Sequence, residues 1–190
     1  MSKIRTFIAI EIPDSIHQKI AKVQDELKSK QEKARISWTK PGNIHLTLRF
    51  LGDVEESRIN SVVEAIEKAV QPFSSFDFLV RNFGAFPNFR RPRVLWIGIE
   101  NPPSELTQMA QNIEDELSTI GFTSEKRKFS AHLTIGRVKS SLSQSFVQLL
   151  QARDFEGGQV RVKEVVVMKS DLRPTGAVYT PLKKIKLKGS

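Results

Sequence analysis

The chain repeats its own pattern halfway along its length. Residues 7–13 (FIAIEIP) are matched 89 positions later by residues 96–102 (WIGIENP), and residues 44–48 (IHLTL) are matched 87 positions later by residues 131–135 (AHLTI). This period is longer than that of solenoid repeats, and only two copies fit into 190 residues. A tandem duplication of one strand–helix–strand–helix–strand unit therefore predicts two similar lobes related by an approximate twofold axis.

Hydrophobic spacing within each copy predicts an α+β fold. Strands are indicated by apolar runs over residues 6–11, 44–51, 76–86, 94–100 and 160–168. Helices are indicated by apolar residues at helical spacing, namely Ile16, Ile20, Val23 and Leu27; Ile59, Val62, Ile66 and Val70; Leu106, Met109, Ile113 and Leu117; and, in a shorter segment, Phe146, Leu149 and Leu150. We expect each lobe to be an antiparallel sheet flanked by helices, with the active-site cleft between the lobes.

The same pattern bounds the domain organisation. No polar linker separates the copies, so residues 1–190 are expected to form a single bilobal domain, with repeats over roughly residues 4–88 and 93–170. In the C-terminal segment 177–188, Ile185 and Leu187 alternate with lysines, which is typical of an edge strand protected against pairing with other chains. We expect this segment to close the sheet at one edge.

Composition narrows the function classes. Cysteine is absent, which excludes disulfides, thiolate nucleophiles and cysteine-bound zinc. A net charge of +9 favours polyanionic partners such as RNA. The cluster of Arg90, Arg91 and Arg93 is interpreted either as a solvated loop or as a contact to an RNA backbone. No apolar run is long enough to span a bilayer and no signal-peptide pattern is present, so we expect a cytoplasmic protein without a membrane partner. We also expect it to be a monomer.

Two of the three histidines lie in the matched strands. Side chains at positions i and i+2 of a strand point to the same face, about 6–7 Å apart along the strand. His45 is therefore predicted to project together with Thr47, and His132 together with Thr134. A twofold axis would make these two faces converge on one cleft.

This arrangement suits chemistry on a phosphodiester. One group takes a proton from water, and another gives a proton to the oxygen that leaves on the opposite side of the phosphorus. Histidine suits both roles because its ordinary pKa of about 6.5 lets both forms coexist near neutral pH. Thr47 and Thr134 would stabilise charge on the non-bridging oxygens, and Arg137 would grip the phosphate with two hydrogen bonds. The first copy carries Arg49 nearby, at a strand parity that differs from that of Arg137.

Other interpretations of these histidines stay open at this point. Threonine is common in strands, so both motifs could be structural, although their matched places favour a catalytic pair. A metal site needs about three protein ligands, and the nearest carboxylates, Asp53 and Glu55, are predicted to lie past the strand end in a turn and a helix start. We therefore expect no metal and no cofactor. His17, beside the apolar stripe of the first helix, is predicted to be exposed and without a site role.

Taken together, the motifs resemble the 2H phosphoesterase superfamily, in the branch of the RNA 2′,3′-cyclic phosphodiesterases, also called 2′-5′ RNA ligases. The likeness extends over nearly the whole chain. It rests on residues 5–10 (RTFIAI), Trp38, Asn43, residues 45–52 (HLTLRFLG), Phe86, Pro87, residues 92–96 (PRVLW), residues 132–137 (HLTIGR) and residues 173–176 (RPTG). Ala131 departs from the proline that the family often has before the second histidine, which affects strand entry rather than chemistry.

The resemblance implies a metal-independent enzyme. It would open the 2′,3′-cyclic phosphate of an RNA end or a cyclic nucleotide and leave a 2′-phosphate. The resemblance further implies that His132 accepts the proton from water and that His45 donates a proton to the 3′ oxygen. Thr47, Thr134 and Arg137 would hold the phosphate. With a 5′-hydroxyl end in place of water, the same groups would reversibly join RNA ends through a 2′-5′ linkage.

Two other functions are compatible with the same residues. A binding module could hold nucleotides or RNA ends without turnover, although two intact motifs argue against it. An enzyme of the same fold could instead act on ADP-ribose cyclic phosphate or trim oligonucleotide ends, because specificity lies in the loops around the cleft.

Overall fold

The secondary structure follows the predicted order in a computed structural model that describes residues 2–31 and 33–190. The helices are α1 (Asp14–Lys30), α2 (Ile59–Val70), α3 (Ser104–Thr119) and α4 (Gln144–Ala152), with short 3-10 turns at Pro41–Asn43 and Glu56–Arg58. The strands are β1 (Lys3–Glu11), β2 (Ile36–Trp38), β3 (His45–Glu55), β4 (Phe76–Phe86), β5 (Val94–Glu100), β6 (His132–Val138), β7 (Glu156–Val162), β8 (Glu164–Arg173) and β9 (Gly176–Lys186). None of the helices described is both long and apolar enough to cross a membrane.

The strands form one antiparallel sheet whose centre carries the histidine motifs. The order is β7-β4-β5-β6-β3-β1-β8-β9, and β2 pairs with β6. The two halves of the sheet meet at β6 and β3, where Leu46 pairs with Leu133. Both leucines are fully buried. The predicted α+β fold with two similar lobes is confirmed, and the lobes are two halves of a continuous sheet.

Each half of the sheet contains a strand from the other copy of the duplicated unit. β4 ends the first copy in sequence, yet it lies between β5 and β7 of the second copy. β8 belongs to the second copy and lies between β1 and β9. The duplication in the sequence does not predict this exchange, because an apolar strand carries no mark of its partner. The exchange ties the halves together, since neither completes its sheet with its own strands.

Alternation along the strands separates a helix face from an open face. On β1, Ile8 joins the main core, which also contains the apolar residues of all four helices. Phe7 and Ala9 point the other way, into a small cluster with Val166 and Met168 of β8. The helices therefore cover one face of the sheet, and the opposite face stays accessible around the two motifs.

The single strand predicted over residues 160–168 is wrong. The chain forms two strands there, β7 and β8, which meet at Lys163. The strands on both sides of the reversal carry buried valines, namely Val160, Val162 and Val165. Because the apolar pattern continues through the reversal, the sequence does not show where one strand ends and the next begins. Lys163 marks the reversal, but one lysine in an apolar run does not distinguish a turn from an exposed strand position.

The predicted end of the first histidine strand near Leu51 is also wrong. β3 continues to Glu55, so Asp53 and Glu55 lie within the strand instead of in a turn and a helix start. Gly52 has a φ of +72°, and the register with β1 shifts between Thr6 and Phe7. Glycine here serves a β-bulge inside a continuing strand, which in sequence looks like a turn.

The C-terminal strand lies at the sheet edge, as its lysine pattern predicts. Lys184 contacts Glu11 and Glu164 at 2.6 and 3.1 Å, and Lys183 lies 3.6 Å from Glu67. These carboxylates hold the two lysines along the edge, where charged side chains discourage pairing with another chain. The charge of this segment is therefore poor evidence for contact with RNA.

Shortening Leu46 tests the junction between the halves. Leu46 is fully buried, so Leu46→Ala removes packing and leaves a cavity, which should lower the free energy of unfolding by about 2–5 kcal/mol in urea denaturation. Leu172 is 70% exposed and gives a matched control, because Leu172→Ala should change that free energy by less than about 0.5 kcal/mol. Equal effects, or two separate unfolding transitions, would contradict a shared core.

Candidate active site

The two motifs lie side by side at the centre of the open face. Leu46 and Leu133 pair directly and point into the core. The side chains on either side of this pair must point the other way, and they are His45, Thr47, His132 and Thr134. Cβ atoms directly opposite each other on antiparallel strands are about 4.5–5.5 Å apart. The structure thus places both predicted His–Thr pairs on one face, next to each other.

Both imidazoles are fixed by the same type of hydrogen bond. His45 donates from Nδ1 to the main-chain oxygen of Asn43 at 2.7 Å, and His132 donates from Nδ1 to that of Ser130 at 2.7 Å. A carbonyl oxygen can only accept, so Nδ1 carries a hydrogen in both rings. Nε2 is then the nitrogen available to a ligand on either side. The duplication therefore supplies two imidazoles that are held in the same way and have the same free nitrogen.

Aromatic side chains hold the His45 ring in place. Phe7 stacks on it with ring centroids 4.7 Å apart, and Tyr179 of β9 meets it edge-on at 5.3 Å. Sequence reasoning missed Tyr179. The available signal was that the chain has a single tyrosine, and that it lies in the strand expected to close the sheet. Burial raises the pKa of Tyr179, so its hydroxyl keeps its proton and can act as a donor.

A second aromatic group surrounds His132. Phe86 meets its ring edge-on at 4.9 Å, and the Trp96 ring centroid lies 6.3 Å away. The indole of Trp96 lies across Gly84, where a Cβ atom would come within 2.0 Å of it. Glycine at position 84 is thus required by the close approach of the indole. Trp96 is the counterpart of Phe7 in the duplication, so both histidines have an aromatic neighbour from an adjacent strand of the sheet, β5 for His132 and β1 for His45.

Arg137 reaches the open face through a β-bulge at Ile135. Arg137 pairs with Val94 and Thr134 pairs with Trp96. Three residue steps along β6 therefore correspond to two steps along β5, which means that β6 has one extra residue. Residues paired across antiparallel strands share a face, which places Arg137 with Thr134. Simple alternation would have put Arg137 on the helix face. Arg137 is exposed, and it has no ion-pair partner in the part of the chain that the structure describes.

A matching bulge in β3, at Leu48, moves Arg49 away from the site. Arg49 pairs with Ile8, whose side chain is in the core, so Arg49 lies on the helix face. There its Nε lies 2.9 Å from the carboxylate of Glu114 on α3. Arg49 and Arg137 do lie on different faces, as expected, but the two bulges place each of them on the face opposite to the one that simple alternation gives.

Phe50 occupies the position in the first copy that Arg137 occupies in the second. The two residues are 87 positions apart, the same offset as between the histidines. Phe50 is 44% exposed, and the guanidinium carbon of Arg5 lies 4.6 Å from its ring centroid. The otherwise symmetric face therefore carries a free cation on one strand and an exposed aromatic ring on the other.

Burial is the main reason why the pKa of both site histidines falls below its ordinary value. Their main-chain hydrogen bonds raise the pKa by less than burial lowers it. Around His45, the charge of His17 lowers the pKa and that of Glu11 raises it. Around His132, the charge of Arg137 lowers the pKa further. The neutral imidazole is thus the favoured form in the free protein.

Comparison with known proteins identifies the family. The family model described as LigT-like phosphoesterase matches residues 10–96 and again residues 97–179. The chain belongs to the LigT-like phosphoesterase family. The two matches fit the tandem duplication seen in the sequence and the sheet.

Relatives of this LigT-like chain cover it almost completely. A Thermotoga maritima protein is 36% identical over 98% of this chain and 97% of its own length, and a Methanothermobacter thermautotrophicus protein is 32% identical over 97% and 100%. Both are named RNA 2′,3′-cyclic phosphodiesterase. Among solved structures, E. coli LigT complexed with 3′-AMP superposes with a TM-score of 0.78 at 25% identity, over 98% of this chain and 99% of that one.

His17 of the LigT-like chain is not exposed, so that prediction is wrong. Its side chain is 16% exposed, and its Nε2 donates to the main-chain oxygen of Ile44 at 2.8 Å. Helical spacing places His17 beside the apolar stripe, and the sequence alone does not show that β3 begins against that side of α1.

The three loop arginines of the LigT-like chain lie near the strand that carries Arg137. The main-chain nitrogen of Val138 donates to the oxygen of Arg93 at 2.9 Å, and the Asn88 side chain accepts from the main-chain nitrogens of Arg90 and Arg91. All three arginine side chains are exposed. The loop therefore presents three cations to solvent, and its contact with an RNA backbone stays a prediction.

Acid should destabilise this LigT-like fold through its two site histidines. Their lowered pKa values mean that the unfolded chain binds more protons than the folded chain as the pH falls below about 6.5. The free energy of unfolding should be highest above that pH and fall between about pH 6.5 and pH 5, as urea denaturation at several pH values can measure. The double variant His45→Gln/His132→Gln should show a flatter dependence. An identical slope in the variant would contradict the burial of neutral histidines.

Proposed function

We propose that this chain is a metal-independent RNA 2′,3′-cyclic phosphodiesterase that leaves a 2′-phosphate. The observation that carries the proposal is the pair of His45 and His132 on adjacent central strands, each with Nδ1 bound to a carbonyl at 2.7 Å and Nε2 left for a ligand. Displacement at phosphorus needs one proton acceptor and one proton donor on opposite sides. Two relatives of nearly equal length that carry this enzyme name support the same assignment.

In the proposed mechanism, His132 is the base. Burial and the charge of Arg137 favour its neutral form, whose Nε2 takes a proton from water as the oxygen attacks phosphorus. In the reacting form His45 is protonated on both ring nitrogens. The bond from phosphorus to the 3′ oxygen breaks, and His45 gives its Nε2 proton to that oxygen while Nδ1 keeps its bond to the Asn43 carbonyl. His132 ends protonated and His45 ends neutral, and exchange with solvent restores both. With the 5′-hydroxyl of a second RNA end in place of water, the same steps would form a 2′-5′ linkage, and their reversal would cleave it.

The charge that develops on phosphate has three candidate donors. Among the hydrogen bonds within residues 2–31 and 33–190, none involves the hydroxyl of Thr47 or Thr134, so both can donate to non-bridging oxygens. Arg137 lies on the same face and offers a planar guanidinium that matches phosphate geometry. Preorganised donors of this kind stabilise the transition state without rearranging during the reaction.

The exposed ring of Phe50 supports a nucleotide substrate over a simple phosphodiester. Arg5 covers part of the ring, and the rest faces solvent beside the motif on β3. A base stacked on an aromatic side chain gains about 1–3 kcal/mol with little dependence on its identity. We infer that the nucleobase of a cyclic nucleotide or an RNA end contacts this ring.

The proposal assigns both proton transfers to side chains of this chain. Across the described ranges, no three histidine or carboxylate side chains lie close enough together to form a metal site. All five proposed site residues come from one chain, and the strand exchange links both copies, so we infer that residues 1–190 act as one domain and as a monomer. A binding module without turnover is less well supported, because both proton-transfer groups and both hydroxyl donors are free.

Hydrolysis of a 2′,3′-cyclic nucleotide and of an RNA ending in a cyclic phosphate, both in EDTA, tests this function. We expect a 2′-phosphate product by ³¹P NMR. His45→Ala and His132→Ala should each lower kcat by about 10²–10⁴, because each removes one proton transfer. Thr107→Ala, on an exposed position of α3, should leave kcat unchanged. A 3′-phosphate product, loss of activity in EDTA, or only mild losses in the histidine variants would each refute the proposal.

A further inference from the structure

His17 lies behind the segment that carries His45. It is in the first turn of α1, and its Nε2 donates to the main-chain oxygen of Ile44 at 2.8 Å. Because that oxygen can only accept, Nε2 of His17 carries a hydrogen. The bond connects residues 27 positions apart and joins α1 to the residue immediately before His45.

Besides main-chain bonds from Asn43 to Lys40 and from Ile44 to Pro41, residues 43–45 are held by three hydrogen bonds that involve side chains. The oxygen of Asn43 accepts from the His45 ring at 2.7 Å, and the Asn43 side-chain amide donates to Ala177 on β9 at 2.7 Å. The oxygen of Ile44 accepts from His17. Rotation of the peptide between Ile44 and His45 would break the bond to His17. The direction of the His45 ring therefore depends on α1 as well as on β9.

The second copy of the unit has no such bond. Thr107 follows the N-cap Pro103 of α3 by the same number of positions as His17 follows the N-cap Pro13 of α1. Thr107 is exposed, and in the described part of the chain no side chain donates to the main-chain oxygen of Ala131. The bond from His17 is thus a point at which the two nearly equal motifs differ.

We propose that His17 is a positioning residue that holds the 44–45 peptide so that Nε2 of His45 faces the cleft, and that it thereby distinguishes the proton donor from the proton acceptor. The catalytic part of this inference rests on the proposed function of His45. His17 does not contact the reacting atoms, because its donor nitrogen is engaged with the Ile44 carbonyl. It acts through the main chain that His45 is built on.

Charged groups around the two rings add an electrostatic link. The Asp14 carboxylate lies 3.6 Å from Nδ1 of His17. Glu11 pairs with His45 across β1 and β3 and is itself bound by Lys184. Burial is the main cause that lowers the pKa of His45, the bond to the Asn43 carbonyl raises it, and a charge on His17 lowers it. Removing the ring of His17 should therefore raise the pKa of His45.

Two variants separate positioning from packing. His17→Leu removes the donor, whereas His17→Gln keeps an amide donor of similar reach. For hydrolysis of a 2′,3′-cyclic nucleotide, we expect His17→Leu to lower kcat about tenfold to a hundredfold with KM within about twofold, because a small misplacement of His45 affects the transition state more than binding. His17→Gln should restore kcat to within about threefold of the unchanged chain.

NMR of the histidine rings in the substrate-free full chain gives a readout that packing alone would not change. In the unchanged chain and in His17→Gln, the ¹⁵N spectrum should show His45 with its hydrogen on Nδ1. His17→Leu should give a mixture of the two tautomers. In both variants the pKa of His45 should rise, because the charge of His17 is absent. Thr107→Leu, at the matching place of α3, should leave kcat and the His45 spectrum unchanged.

Several outcomes would overturn this inference. An unchanged kcat and tautomer in His17→Leu would do so. Equal loss of kcat in both variants with an unchanged His45 spectrum would mean that His17 only stabilises the fold. If His17→Leu does not fold, His17→Gln decides alone: loss of the Nδ1 tautomer of His45 in that variant refutes the role, and retention of the tautomer with kcat within about threefold supports it. The spectra need no substrate. If the unsubstituted chain fails to hydrolyse cyclic phosphates, the proposed function is refuted, whereas the tautomers of His45 still test the positioning role.

Discussion

The pairing of Leu46 with Leu133 is the contact on which the site depends. It is the ladder position that joins β3 to β6, and both side chains are fully buried in the core shared by the two halves. Alternation along the strands then turns the neighbouring residues, which are the two His–Thr motifs, toward the open face. The hydrophobic effect thus fixes the relative placement of polar groups that have no direct contact with the core. The chain also crosses this junction to form β4 and β8, each of which lies in the half of the sheet that holds the other copy's histidine strand.

Duplication creates two equal imidazoles, whereas displacement at phosphorus needs two unequal ones. Both rings have the same Nδ1 hydrogen bond and the same kind of aromatic neighbour. The differences arise outside the motifs. Arg137 stands where the first copy has Phe50, and His17 stands where the second copy has Thr107. One strand therefore carries an exposed cation and the other an exposed aromatic ring, which the proposed function assigns to phosphate and to a base, and one histidine has an additional hydrogen bond from α1.

Local patterns made much of the fold and of the site predictable from sequence. The helices, the duplicated strands and the shared face of His45 with Thr47 follow from spacing alone, because alternation is a property of a single strand. The exchange of β4 and β8 and the position of Arg137 depend on how strands pair. A bulge at Ile135 is a property of the ladder, not of the residues in it. Tyr179 was missed and His17 was wrongly predicted to be exposed for the same reason, since their surroundings come from contacts between distant segments.

The pH dependence of kcat/KM for a 2′,3′-cyclic nucleotide tests most directly whether two histidines act on one phosphorus as base and acid. This parameter reports groups of the free enzyme, whose pKa values are both lowered by burial. A bell-shaped profile with both limbs below about pH 6.5 is expected. The residual activity of His132→Ala should lose the acidic limb, and that of His45→Ala should lose the alkaline limb. A flat profile between about pH 5 and pH 9, or single variants that keep both limbs, would contradict paired acid–base catalysis.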